Sequence, residues 1–170
     1  MSPVDVAIRH ASGPQDIALA RALIEEYARW LGEDLCFQGF EAEIANLPGS
    51  YAPPRGRLLL VGAGEDAFGC IALHPLDEAR GVGEVKRLWV QPRARGGDWG
   101  RKLASRLIDE AREIGYRELK LDTLRRLTHA CALYRSLGFV DCDPYYHNPI
   151  ESVVFMRLPI EPRGRPFEVA

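Results

Sequence analysis

The chain has 170 residues, of which 46% are hydrophobic and 27% are charged, and its formal net charge is -2. This length suits one globular domain, and the near-neutral charge excludes bulk attraction to nucleic acid or to an anionic membrane surface. No apolar run approaches the ~20 residues that a membrane span needs. The N-terminal residues also lack the apolar core of a signal peptide, so we expect a cytoplasmic protein.

The cysteine pattern points to free thiols. The four cysteines are scattered and form no C-x-x-C pair, which favours buried, unpaired thiols in a reducing compartment and no metal site. They are Cys36, Cys70, Cys131 and Cys142.

The N-terminal part of the chain is predicted to form a strand and two helices. Residues 4–9 alternate apolar and polar side chains, which predicts a strand. Ser12 is the predicted N-cap of the first helix, Gln15 its capping-box partner, and Gly32 its end. Apolar residues at spacings of three and four predict a shorter helix over 38–46, followed by a proline-rich loop over 51–56.

The rest of the chain is organised around the segment 84–103, which predicts a strand, a tight glycine turn and the start of a helix. The strand that follows this helix should lie parallel to the strand before it, because strand, helix, strand forms a βαβ unit. The remaining predictions are strands over 57–62 and 67–74, a loop over 76–83, a strand over 119–122, a helix from 128 to 137, and strands over 139–142 and 153–158. Together they predict one mixed α/β domain over 1–160 and a loosely ordered tail over 161–170.

The glycine turn carries the main chemical signal. Arginines and glycines over 93–100 stand directly before the predicted helix, whose N-terminus offers backbone N–H donors and a partial positive charge. Such a turn favours a phosphate or pyrophosphate. Neither G-x-G-x-x-G nor G-x-x-x-x-G-K-S/T occurs. A tight turn with solvated arginines is the alternative.

Two motifs resemble those of the GNAT superfamily of acetyl-CoA-dependent N-acetyltransferases. A strand ending in valine and proline, then Q/R-x-x-G-x-G/A, is matched from Val90 to Gly100. The second motif, A-x-x-L-Y-x-x-L-G-F, is matched by Ala130–Phe139, and the resemblance spans about 58–158. It implies a mixed, mostly antiparallel sheet of about six or seven strands with a splayed parallel pair, flanked by about four helices.

The resemblance also implies the co-substrate, acetyl-CoA, and no metal. Backbone N–H groups of the turn would hold the pyrophosphate, and the strand before it would pair with the pantetheine arm. The residues implied to bind acetyl-CoA are Leu88, Trp89, Val90, Arg95, Gly96, Gly97, Asp98, Trp99, Gly100 and Arg101.

The chain departs from the family pattern at two positions. Asp98 replaces the first motif glycine. Aspartate tolerates the left-handed conformation and can cap a helix, but its carboxylate should repel a pyrophosphate by ~1 kcal/mol. Leu127 stands where many members have an asparagine, which removes one polar contact to the cofactor.

Acetyl transfer to an amine requires a base, an acid and a group that stabilises the oxyanion. The resemblance implies Glu84 as the base, where an apolar gap would raise its pKa; the alternative is a pair with Lys86 or Arg87. It implies Tyr134 as the acid toward the CoA sulfur; the alternative is a core tyrosine. A strand N–H near Trp89 would bind the oxyanion.

The sequence signals for residues that bind the acceptor substrate are less specific than those for acetyl-CoA. His74 and His147 are rival bases. Arg87 is a candidate for binding an anionic group of the substrate or is a solvated strand residue. Tyr145 and Tyr146 are candidates for the pocket wall, with Asn148, or pack a proline-bounded loop.

The predicted function is direct acetyl transfer from acetyl-CoA to a primary amine of a small molecule or amino-acid-like substrate. The alternative is a non-catalytic acyl-CoA-binding or sensing domain of the same fold, which Asp98 and Leu127 favour. A nucleic-acid partner is disfavoured because no aromatic platform accompanies the arginines. No membrane partner is expected, and a homodimer is expected only from the family.

Overall fold

The computed structural model describes residues 4–165, and these fall into two compact units. The first unit contains the chain up to His74 together with Lys86–Leu107, and the second contains Pro75–Val85 together with the chain from Ile108 onward. The strands and helices are β1 (Val6–His10), α1 (Gly13–Leu31), α2 (Phe40–Ala45), β2 (Arg57–Ala63), β3 (Gly69–Asp77), β4 (Val82–Val90), α3 (Trp99–Ile114), β5 (Glu118–Leu124), α4 (Thr128–Ser136), β6 (Val140–Asp141) and β7 (Val153–Pro159).

The strands form one seven-stranded sheet in the order β1-β2-β3-β4-β5-β7-β6. Antiparallel pairing joins β1 to β2, β2 to β3, β5 to β7 and β6 to β7. β4 and β5 are the parallel pair, and their register joins Val82–Glu84 to Glu118–Lys120. The predicted mixed, mostly antiparallel sheet with a parallel pair and four helices is therefore confirmed, as is the predicted order of elements.

The core of the first unit lies between α1 and the strands β2 and β3. Leu23 and Ile24 of α1 are buried against Leu58, Leu60 and other apolar residues of this core. Burying one such side chain contributes roughly 1.5–3 kcal/mol. The apolar residues that α1 and the strands bury against each other therefore hold the helix on the sheet. The helix ends as predicted at Gly32, whose φ of 73° is left-handed.

Local contacts differ from the prediction at the start of α1. The Ser12 side chain makes no capping hydrogen bond. Instead the Ser12 backbone N–H donates to Asp16 Oδ2 at 3.0 Å, and Arg9 donates to Asp16 Oδ1 at 3.1 Å. Asp16 therefore takes the role predicted for Gln15, because its charged carboxylate is the better acceptor at a helix N-terminus.

Two predicted boundaries were also wrong. The helix predicted over 38–46 is a short 3₁₀ turn, Cys36–Gln38, followed by α2, because Gly39 has a left-handed φ of 69° between them. The loop predicted over 76–83 is shorter, because β3 continues to Asp77 and β4 begins at Val82.

The second unit is built on β5 and β7, with α4 and the end of α3. Leu119, Leu121 and Met156 are buried along the strand pair. The loosely ordered tail was predicted over 161–170; within it, the Arg163 and Gly164 N–H groups donate to the Arg112 carbonyl at 2.8 and 3.1 Å. Residues 166–170 lie outside the described part.

Candidate active site

The strand β4 brings two charged side chains into buried positions. Glu84 is 5% exposed and Arg87 is 6% exposed. The Tyr145 hydroxyl donates a 2.6 Å hydrogen bond to Glu84 Oε2. The alternative from the sequence is a pair of Glu84 with Lys86 or Arg87. Arg87 pairs with Glu43 instead, and the pair with Lys86 stays open. The predicted base and one predicted pocket residue therefore form a direct contact.

The aromatic loop over 144–149 makes a second polar contact, to β5. The Tyr146 hydroxyl donates to Asp122 Oδ2, and Asn148 Nδ2 donates to the same oxygen at 2.9 Å. Asn148 Nδ2 also lies 2.9 Å from the Tyr146 hydroxyl. The tyrosine rings at 145 and 146 both contact Phe155, at centroid distances of 5.2 and 5.5 Å. The loop therefore contacts two carboxylates, those of Glu84 and Asp122.

Electrostatics keeps the Tyr145 hydroxyl protonated. Burial and the negative charges of Glu84 and Asp122 raise the pKa of Tyr145 well above its usual value. Lys120 Nζ lies 5.4 Å from the centroid of the ring. Tyr145 is therefore a neutral hydrogen-bond donor throughout the physiological pH range.

Arg87 occupies an unusual place in β4. Its φ of 61° is left-handed, which is costly for a residue with a Cβ. Its Nε and Nη2 donate to the two carboxylate oxygens of Glu43 at 2.9 and 3.0 Å, and its guanidinium lies 5.1 Å from the Phe40 ring centroid. Burial alone would lower the pKa of Arg87, but Glu43 and the nearby Tyr51 raise it. The solvated alternative for Arg87 is wrong, and any substrate anion there would compete with Glu43.

The glycine turn before α3 contains two residues with left-handed backbone. Gly96 has φ of 104° and Asp98 has φ of 59°, so the expectation that aspartate tolerates the left-handed region here is confirmed. Arg101 Nε lies 3.5 Å from Asp98 Oδ2 and offsets its charge. A Cβ on Gly97 would lie 2.5 Å from Trp99 Nε1, so this position requires glycine unless the indole moves. An exposed turn that opens a 16-residue helix fits a pyrophosphate.

The cationic side chains around this turn have protein partners. Arg95 stacks over Trp30 and Trp89 at 5.5 and 5.2 Å from their ring centroids, and Arg93 pairs with Asp66 at 3.1 Å. Lys102 Nζ donates to the Gly97 carbonyl at 3.1 Å and lies 4.2 Å from the centroid of the Trp99 ring. Arg93 and Arg95 are nevertheless both exposed, so a tight turn with solvated arginines stays open as the alternative.

The remaining predicted residues are the proposed acid, the second departure from the motif and the two rival bases. Tyr134 is 8% exposed on α4 and packs edge-on against Phe139 at 5.7 Å. Leu127 is the residue before α4 and brings no polar side chain. Of the rival bases, His74 contacts the Tyr51 ring, and His147 is exposed.

Sequence reasoning missed Asp122 and Glu43. Asp122 had a usable signal: it alternates with Leu121 on β5, two residues beyond Lys120, which is in register with Glu84. Glu43 had none, because its partner lies 44 residues away in sequence. Among residues 4–165, no helix is long and apolar enough to cross a membrane, and no group of three His, Cys, Asp or Glu side chains could hold a metal.

The cysteines are all unpaired, as predicted, but only some of them are buried. Cys70 and Cys131 are buried and Cys142 is partly exposed. Cys36 is exposed, so the prediction of burial is wrong there. Burial raises the pKa of the Cys70 thiol to about 12, and Asp34 raises the pKa of Cys36.

The sequence is similar to named acetyltransferases over most of its length. The acetyltransferase (GNAT) family model matches residues 18–139. An uncharacterised N-acetyltransferase from Schizosaccharomyces pombe is 42% identical over 160 residues, covering 93% of this chain and 97% of that protein. IAA acetyltransferase from Azospirillum brasilense is 37% identical over 157 residues, covering 92% and 99%.

Solved structures show the same fold. An acetyltransferase of the GNAT family from Staphylococcus aureus has a TM-score of 0.75 and 18% identity, covering 91% of this chain and 99% of that chain. A Salmonella typhimurium acetyltransferase solved with acetyl-CoA has a TM-score of 0.65 and 22% identity, covering 96% and 99%.

Proposed function

Because this chain belongs to the acetyltransferase (GNAT) family and is an N-acetyltransferase with acetyl-CoA as co-substrate, we propose that it acetylates the primary amine of a small-molecule or amino-acid-like acceptor. Transfer is direct, without an acyl-enzyme. The relatives are named as acetyltransferases, which favours catalysis over a non-catalytic acyl-CoA-binding domain. The observation that carries the proposal is a buried carboxylate, Glu84, in hydrogen-bond contact with a tyrosine at 2.6 Å.

Glu84 is the proposed base. An acceptor amine is an ammonium at neutral pH and must lose a proton before it attacks the thioester. A carboxylate on a buried strand can take that proton directly or through a water. The exposed rival, His147, lacks the burial that tunes a base for this task.

Tyr134 is the proposed acid. Its phenol would donate a proton to the departing thiolate, and an N–H near Trp89 or Val90 would stabilise the oxyanion. The turn from Arg95 to Arg101 would hold the pyrophosphate through backbone N–H groups, with Leu88 and its β4 neighbours along the pantetheine arm. These assignments rest on the family motifs, and the left-handed backbone at Gly96 and Asp98 supports them.

The acceptor side is proposed to include Tyr145, Tyr146 and Arg87. The two tyrosines place aromatic faces and hydroxyl groups beside two carboxylates, a setting suited to an ammonium group. Arg87 would take a substrate anion only by displacing Glu43, which accepts from its Nε and Nη2.

The test begins with calorimetric titration of the purified protein with acetyl-CoA and CoA, with ATP as a control. A screen for thiol release follows, with a panel of primary amines as acceptors; IAA, which the name of the Azospirillum brasilense relative mentions, is tested separately beside them. Glu84→Gln and Tyr134→Phe should each lower kcat by roughly 10²-fold while acetyl-CoA still binds. His147→Gln is the matched control for a rival base. The assignment of the base would be contradicted if Glu84→Gln kept the wild-type kcat, or if only His147→Gln lost activity.

A further inference from the structure

The loop over 144–149 makes a contact that its proposed acceptor-binding role does not explain. Its Tyr145 hydroxyl reaches Glu84, which lies 61 residues earlier in sequence, at 2.6 Å. That length is typical of a charge-assisted O–H···O⁻ bond, which is shorter and stronger than a neutral one. A tyrosine that merely lined a pocket would not need to donate to the base.

We propose that Tyr145 is a positioning residue that orients the Glu84 carboxylate and stabilises its ionised form. The inference rests on the proposed function, in which Glu84 is the base. A carboxylate on a flexible side chain must be held in one orientation to take a proton efficiently. The Tyr145 hydroxyl does this by donating to Oε2 of the carboxylate.

The loop that carries Tyr145 is itself held on β5 and β7. The Tyr146 hydroxyl and Asn148 Nδ2 both donate to Asp122, and Asn148 Oδ1 accepts from the Ile150 N–H at 2.9 Å. The rings of both tyrosines pack on Phe155. These contacts fix the Tyr145 ring without using its hydroxyl, so the hydroxyl is available to Glu84. Asp122 thus anchors the loop.

The sign of the effect on Glu84 follows from the donor. A hydrogen bond donated to a carboxylate favours its charged form and lowers its pKa. The charged groups Asp122 and Lys120, which lie near Tyr145, both remain when the hydroxyl is removed. Loss of the hydroxyl alone should therefore raise the pKa of Glu84.

The experiment compares Tyr145→Phe with the wild-type enzyme by the pH dependence of kcat/KM and by carbon NMR of the Glu84 carboxyl. We expect the acidic limb and the NMR titration both to move to higher pH. Tyr116→Phe, a fully buried tyrosine of the same unit, is the matched control and should leave both unchanged. An unmoved limb and titration in Tyr145→Phe would overturn the inference.

A second variant covers the case in which Tyr145→Phe does not fold. Incorporation of 3-fluorotyrosine at position 145 keeps the ring and makes the hydroxyl a stronger donor, so both measurements should move to lower pH. Movement in the other direction, or none, overturns the inference. Glu84→Gln separates the two proposals. Suppose that Glu84→Gln loses activity but the acidic limb of kcat/KM does not move in the Tyr145 variants. The assignment of Glu84 as the base is then supported, and Tyr145 is not its positioning residue. If Glu84→Gln stays fully active, the proposed base fails and the inference fails with it.

Discussion

The buried ion pair between Arg87 and Glu43 should be the most sensitive single contact in the first unit. The Arg87 side chain is 4% exposed and that of Glu43 is 17% exposed, and the contact is bidentate. Glu43→Gln keeps the shape of the side chain and removes its charge. The guanidinium then stays buried without an opposite charge, which is far costlier than losing an exposed pair.

The size of the effect can be worked from this geometry. Breaking a buried pair from one side costs about 3–5 kcal/mol. Because the Glu43 side chain retains some contact with water, we take the lower end, about 3 kcal/mol. For a chain of this length, that lowers the melting temperature by roughly 6–12 °C. The helix α2, which has no fully buried residue of its own, should detach first.

Urea unfolding measures the loss of stability in Glu43→Gln directly. Asp77→Asn is the control, because Asp77 pairs with an exposed Arg80 at 3.7 Å and its loss should change stability by less than about 1 kcal/mol. The double variant Glu43→Leu with Arg87→Met removes both charges and should be more stable than Glu43→Gln. The reasoning is refuted if Glu43→Gln unfolds at the wild-type urea concentration, or if the double variant is the less stable of the two.

Three further predictions concern other sites. Asp98→Gly should tighten CoA binding several-fold by removing a carboxylate at a left-handed position, and Asp98→Asn should do nearly the same; weaker binding in calorimetry would mean that Asp98 fixes the turn as a helix cap. Burial acts to raise the pKa of Asp16, but its hydrogen bonds with Ser12 and Arg9 bring the pKa below the usual value, so Asp16→Asn should cost about 1 kcal/mol at pH 7 and progressively less as the pH falls below ~4, as measured by melting. Iodoacetamide should modify Cys36 and leave Cys70 intact in the native protein, as mass spectrometry would show.

The order of strands and helices could be predicted because it depends on local patterns. The end of α1 at Gly32 and the left-handed backbone at Asp98 were predictable for the same reason, since each depends on what one residue tolerates. The boundary between β3 and β4 was not. Charged and turn-forming residues near Asp77 predict a loop, but pairing in the sheet extends the strands past them.

In the candidate site, too, the residues that belong to continuous sequence motifs could be predicted, and the contacts between distant residues could not. The turn and Tyr134 were found from motifs that are continuous in sequence. The contacts that define the surroundings of Glu84 and Arg87 join residues 61 and 44 positions apart, and only the fold brings such groups together. The sequence pattern could nominate Glu84 but could not supply its partner, because nothing in the sequence of the aromatic loop distinguishes the tyrosine that contacts Glu84 from the one that contacts Asp122.

The arrangement around the glycine turn also makes the tryptophan fluorescence of the protein sensitive to ligands that bind at the turn. The chain has three tryptophans. Arg95 lies over Trp30 and Trp89, and Lys102 lies over Trp99, so a cation from this segment lies against each indole. An anionic ligand that draws either cation away changes the electric field at an indole and therefore its emission. Intrinsic fluorescence, without a label or an engineered probe, consequently reports on this one region of the molecule rather than on the protein at large.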